Sequence, residues 1–134
     1  MPPEQAYCHT RWFDAEAFTP LKLNLVLKLI NGATMILELV DIRIQPDQQD
    51  AFDEAIQRAV STVASKAKGF KGFRVDKGIE NPERYVLQIF WDTLENHTVD
   101  FRGSPAFSAW RAIVGPFFAS PPVVEHFDLV AKTD

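Results

Sequence analysis

The chain has a single cysteine, Cys8, in 134 residues. One thiol makes no internal disulfide and no cysteine-based metal cluster, so the sequence reads as the product of a reducing compartment, the cytoplasm. Histidine is scarce as well. His9, His97 and His126 follow no metal-motif spacing, and no metal is expected. None of the six glycines builds a Gly-x-Gly-x-x-Gly fingerprint or a phosphate loop, so no nucleotide cofactor is expected either. Charge of one sign is not in excess. The net charge is −4 with no block of like charges, which gives the chain no electrostatic reason to seek nucleic acid or anionic lipid. A long apolar run is also missing. Residues 21–30 are broken by Lys22, Asn24 and Lys28, and the start Met1-Pro2-Pro3-Glu4 has no basic region. Neither a secretory signal nor a membrane span is expected.

What the chain does have is core material: 46% hydrophobic residues, 12% aromatic, eleven of them Phe. That suits one packed domain rather than a disordered chain. Leu21, Leu23, Leu25, Leu27 and Leu29 recur with period two, a strand pattern, and Asn31-Gly32 is a hairpin-turn dipeptide. Residues 35–44 form a strong strand that Pro46 stops. A helix is predicted from Asp47, with Phe52, Ile56, Ala59, Val60, Val63, Ala64 and Ala67 on one face and Gly69 at its end. Strands follow over residues 70–80 and 84–91, separated by Asn81-Pro82. Asp92 and Glu95 read as the capping box of a short helix. Gly103 breaks that helix, Ser104-Pro105 restarts it, and Gly115-Pro116 closes it. Residues 123–130 read as the last strand.

From Met35 the order is therefore β-α-β-β-α-β, the ferredoxin-like α+β arrangement of an antiparallel sheet with both helices on one face. In the third strand Tyr85, Leu87, Ile89 and Trp91 point one way, and Val86 and Phe90 point the other with Arg84 and Gln88. Two helices cover one face only. A second apolar face predicts a homodimer packed sheet against sheet.

The stretch from Tyr85 to Trp91, then Asn96-His97, Phe101-Arg102-Gly103-Ser104, Phe107 and Trp110-Arg111, resembles the antibiotic biosynthesis monooxygenase family of dimeric α+β barrels. Gly69-Phe70 at the entry to the second strand fits the same pattern. The resemblance covers about residues 35–130. It implies a domain over 35–134, with 1–34 as an N-terminal extension; a translation start at Met35 is an open alternative. It also implies a homodimer with one cavity per subunit and, in some members, cofactor-free oxidation of a small aromatic substrate, a quinol or polycyclic phenol. Such a reaction needs a substrate that itself reduces O₂, and a dry pocket with a base and hydrogen bonds to the substrate anion. Two alternatives stay open: a haem-binding or haem-degrading protein, and a non-catalytic dimeric binding module. The haem branch resembles this chain at Trp91 but carries a late-helix histidine where Trp110 or Arg111 stands here.

Each candidate residue has a functional reading and a plain one. His97 shares an apolar helix face with Leu94 and Phe101, as a base or donor aimed at the cavity, or as a half-buried histidine on a backbone carbonyl. As a base it would be dispensable for folding. Trp91 offers an indole N–H to a substrate oxygen, or packs in the core. Trp110, in line with Phe107 and Val114, reads as core before ligand. Asp41 and Arg43 share a strand face with Leu37 and Leu39, lining a pocket or pairing with each other. Arg111 would receive a substrate oxyanion, or stand solvated. His126, between Glu125 and Phe127, is placed at the dimer interface. His9 and Cys8 receive no role.

Overall fold

The structure, a computed structural model, describes residues 35–133. The expectations on residues 21–30, Asn31-Gly32, Cys8 and His9 lie outside them. The compact unit of the described chain ends at Asp128.

Four strands alternate with two main helices: β1 (Ile36–Arg43), α1 (Gln49–Thr62), β2 (Phe70–Lys77), β3 (Arg84–Trp91), α2 (Pro105–Val114) and β4 (Val123–Asp128). A π-helical segment, Asn96–Phe101, precedes α2. The sheet order is β2-β3-β1-β4 with every pairing antiparallel, the ferredoxin-like α+β fold that the element order predicts.

Several boundaries move from their predicted places. Asp47 takes a left-handed turn at φ 62°, so α1 starts at Gln49 instead. It also ends early, at Thr62, and a 3₁₀ turn over Ala64–Lys66 follows. The hydroxyls of Ser61, Thr62 and Ser65 donate to carbonyls four residues back, at 2.8, 2.6 and 2.6 Å. Such back-bonding strains the ladder and tightens the last turn. β2 stops at Lys77, where the Gly78 N–H bonds to Arg84 O at 2.7 Å and closes the hairpin. β4 stops at Asp128 because its ladder partner on β1 is Ile36, that strand's first residue.

The core lies between the sheet and the helices. From the sheet come Val40, Ile42, Tyr85, Leu87, Ile89 and Trp91; Phe52, Ile56 and Val60 come from α1, and Val114 from α2. Each such side chain, taken fully out of water, is worth about 1.5–3 kcal/mol. The other sheet face carries Leu37, Leu39, Val86, Phe90, Val123 and Phe127, brought together by the ladder register. Val123 and Phe127 are 58% and 44% exposed there.

Candidate functional site

The π-helical segment is built by two local signals. The Thr93 hydroxyl accepts the Asn96 N–H at 3.1 Å, and the Asn96 side-chain oxygen accepts the Thr93 N–H at 3.1 Å. This reciprocal cap uses Thr93 and Asn96 rather than the predicted Asp92 and Glu95. The partner is chosen by Gly69, whose φ of +84° and missing side chain admit Asn96; a Cβ there would sit 2.1 Å from Asn96 Oδ1. Downstream, the Arg102 N–H reaches back five residues to His97 O at 3.1 Å, a widened turn of a kind that is frequent at functional sites. His97 and Phe101 both turn inward from it and are buried.

Between the sheet and α2 lies a cavity of about 410 Å³. That volume is in the ~300–1,000 Å³ range of small-molecule sites. Its walls are largely apolar, with Val40, Ile42, Ile89, Phe107, Trp110 and Phe118 among them. The polar groups are Glu38 and His97, with Arg102 and Arg111 also on the lining. Arg111 lies over the Phe107 ring at 5.8 Å.

Glu38 is the centre of this polar end and is 6% exposed. Trp91 Nε1–H donates to its Oε1 at 2.9 Å, and His97 Nε2 approaches its Oε2 at 3.3 Å. On the other side of the ring, His97 Nδ1 lies 2.8 Å from His126 Nε2. The imidazole of His97 stacks on Trp91, with centroids 5.5 Å apart and planes 26° apart. Trp91, Glu38, His97 and His126 thus lie in one continuous row of polar contacts, with hydrogen bonds at its two ends and the 3.3 Å Glu38–His97 approach between them.

Burial governs its titration. It pushes Glu38 up from 4.5 to about 7, against the lowering effects of the Trp91 hydrogen bond and the Arg102 cation. Burial also pushes His97 down from 6.5 to about 4, helped by Arg102 and His126. His126 is lowered as well, by burial and then by Arg102. The Glu38–His97 contact is an ion pair only when the proton sits on His97. Burial disfavours that form, so the pair holds one proton mainly as neutral acid and neutral imidazole, and gives it up near pH 7.

The residues singled out in the sequence are only partly brought together. His97, Trp110 and Arg111 line the cavity. Trp91 is fully buried, and its indole N–H donates to Glu38. His126 does not sit on the outer face with Glu125 and Phe127. The register pairs it with Glu38, and it faces the helix side in contact with His97. Asp41 and Arg43 project from the opposite face to Glu38, Val40 and Ile42, away from the cavity. They pair with each other at 3.5 Å, and Asp41 also takes two hydrogen bonds from Arg84 at 3.1 and 3.0 Å. Sequence reasoning missed Glu38 and Arg102. Glu38 did leave a signal, because it interrupts the inward stripe of Ile36, Val40 and Ile42 with a carboxylate.

Three comparisons bear on this site. The family model described as "Antibiotic biosynthesis monooxygenase" matches residues 35–113. The uncharacterized protein YczJ of Bacillus subtilis (strain 168) is 33% identical over 93 residues, 69% of this chain and 97% of that protein. A Bordetella bronchiseptica crystal structure, of a protein provisionally assigned as an antibiotic biosynthesis monooxygenase, is 39% identical. It superposes with a TM-score of 0.69 over 73% of this chain and 99% of its own. A similarly assigned Nitrosomonas europaea structure has a TM-score of 0.63 over 76% of this chain and 96% of its own; at 20% identity it speaks to the fold alone.

Proposed function

The chain belongs to the antibiotic biosynthesis monooxygenase family, and from that premise we propose that it oxidises a quinol or polycyclic phenol with O₂, without a cofactor, in the cavity under α2. The observation that carries this reading is the buried Glu38–His97 pair at the polar end of an otherwise apolar cavity. Glu38 is the base. It takes a proton from the substrate's hydroxyl or activated ring methylene, and its elevated pKa suits a base working near neutrality. The substrate anion then reduces O₂. One oxygen atom becomes bonded to carbon and the other leaves as water, so a methylene becomes a ketone, or a quinol becomes a hydroxyquinone. All four electrons come from the substrate. Arg102 and Arg111 offset the negative charge of the anion, and the apolar walls keep water away.

The test is O₂ uptake over a panel of quinols and polycyclic phenols. One class should turn over, and Glu38→Gln should lower the rate by ~10²–10⁴-fold, the usual worth of a general base. An inert panel, or a Glu38→Gln protein as fast as the original, contradicts the proposal. A haem-holding alternative would need an imidazole lone pair facing the cavity. Both ring nitrogens of His97 are engaged, by Glu38 and by His126. A filled interior would have favoured a non-catalytic module; the cavity favours the enzyme.

A homodimer is part of the same proposal. Leu37, Leu39, Val86 and Phe90, with the exposed Val123 and Phe127, form the apolar face on which a second sheet would pack. The domain boundary at Met35 is likewise proposed. Among the described residues no helix is long and apolar enough to cross a membrane.

A further inference from the structure

We propose that Glu38, His97 and His126 form a two-state proton wire that carries the substrate's proton out of the cavity to the edge strand β4. The geometry supplies a continuous path. Glu38 and His97 line the cavity, whereas His126 does not. His126 is half-buried on β4, which is an edge of the sheet. Glu38 and His126 are cross-strand partners on one sheet face, and His97 bridges them from above at 3.3 and 2.8 Å.

Each link admits one donor and one acceptor, so the chain has two consistent states. With Glu38 protonated, its Oε2–H donates to His97 Nε2, and His97 Nδ1–H donates to His126 Nε2. His126 then carries its own proton on Nδ1. With Glu38 ionised, every bond reverses. His97 Nε2–H donates to Glu38, and His126 Nε2–H donates to His97 Nδ1. Passing from the first state to the second breaks the O–H bond of Glu38 and the N–H bonds at His97 Nδ1 and His126 Nδ1. It forms N–H bonds at His97 Nε2 and His126 Nε2, and releases one proton at His126 Nδ1. The carboxylate is thereby ready to act again without returning its proton to the cavity.

Trp91 Nε1–H donates to Glu38 Oε1 in both states and holds the carboxyl in place. The other charged groups facing the chain are cations, Arg102 after the π-helical segment and Arg111 on α2. Arg102 disfavours a proton on all three members, so it favours outward release. His126 touches no substrate and acts through His97, which makes it a positioning residue.

The wire rests on the same site as the proposed oxidation, but it can be read without a substrate. An inert substrate panel and a failed wire are therefore separate results. The full chain, labelled with ¹⁵N in its imidazoles, is followed by NMR from about pH 5 to 9, a window spanning the pKa range of histidine and of a raised carboxyl. His97 and His126 should exchange tautomers together, at one midpoint. In Glu38→Gln the amide carbonyl keeps the Trp91 bond and the amide N–H₂ donates to His97 Nε2. Both imidazoles should then stay in the first state at every pH. Fixed tautomers in the unaltered protein, separate midpoints for the two histidines, or an exchange that persists in Glu38→Gln each overturn the wire. Should that variant fail to fold, His126→Gln breaks the outer link, and the His97 midpoint must move; an unmoved midpoint overturns the proposal.

Discussion

Glu38 and His97 push the stability of the folded protein in opposite directions as pH changes. The folded pKa of Glu38 is raised from 4.5 to about 7, so the native state binds its proton more tightly than the unfolded chain does. Its contribution is full below pH 4.5 and is lost as pH rises to about 7, a change of about 3 kcal/mol at 1.36 kcal/mol per pKa unit. His97 is lowered from 6.5 to about 4; its contribution is full above pH 6.5 and is lost as pH falls to about 4. Between those limits the two offset each other. Glu38→Gln should therefore expose the His97 slope, with urea midpoints falling relative to the unaltered protein as pH drops below 6.5. His97→Gln should expose the opposite slope, with midpoints falling as pH rises toward 7. A Glu38→Gln protein that keeps the original pH dependence would show that Glu38 does not titrate with a raised pKa in the folded protein. The expectation that His97 can be truncated without harm does not survive its surroundings. It is 3% exposed, stacked on Trp91, hydrogen-bonded to His126 through Nδ1 and 3.3 Å from Glu38 through Nε2. His97→Ala should cost about 3 kcal/mol, from the void and from leaving Glu38 without its partner.

At the scale of elements, the π-helical segment stands where it does because Gly69 lets Asn96 in. Gly69→Ala would force a side chain into a left-handed backbone, at about 1–2 kcal/mol, and against Asn96 Oδ1. Asn96→Ala removes one half of the reciprocal cap, at about 1 kcal/mol. The two changes damage one contact, so urea melts of the double variant should show less destabilisation than the two singles added. Strict additivity would mean that Gly69 does not hold the segment. The same region marks how far the sequence could be read. Apolar runs bounded by turn residues located the four described strands, and helical spacing located the buried face of α1, because each run is the imprint of the surface it covers. Element ends were less legible. β4 stops where β1 begins, a fact of register, and the choice of Thr93 and Asn96 over Asp92 and Glu95 depends on a glycine more than twenty residues earlier. The site was half legible. His97 stood out by type and helix face. Glu38 was not legible as a site residue; the charges that stand out on that strand, Asp41 and Arg43, share the face of Leu37 and Leu39, which lies opposite the helices.

At the scale of the whole molecule, the uncovered sheet face predicts a dimer. Light scattering at micromolar concentration should give twice the chain mass, and Phe90→Glu, on the apolar face opposite Leu37, should give a monomer. A stable monomer of the unaltered protein would contradict sheet-to-sheet pairing. A chain beginning at Met35 should be as soluble, dimeric and stable as the full chain; aggregation or loss of the dimer would place part of residues 1–34 within the domain. The most direct test of the central claim, that a buried carboxylate sharing its proton with His97 is the base for O₂ chemistry, is the pH profile of O₂ consumption on the best substrate of the panel. The rate should rise through an inflection near pH 7, where Glu38 ionises, and Glu38→Gln should abolish that inflection along with most of the rate. A profile that is the same in both proteins, following only the ionisation of the substrate, would contradict it.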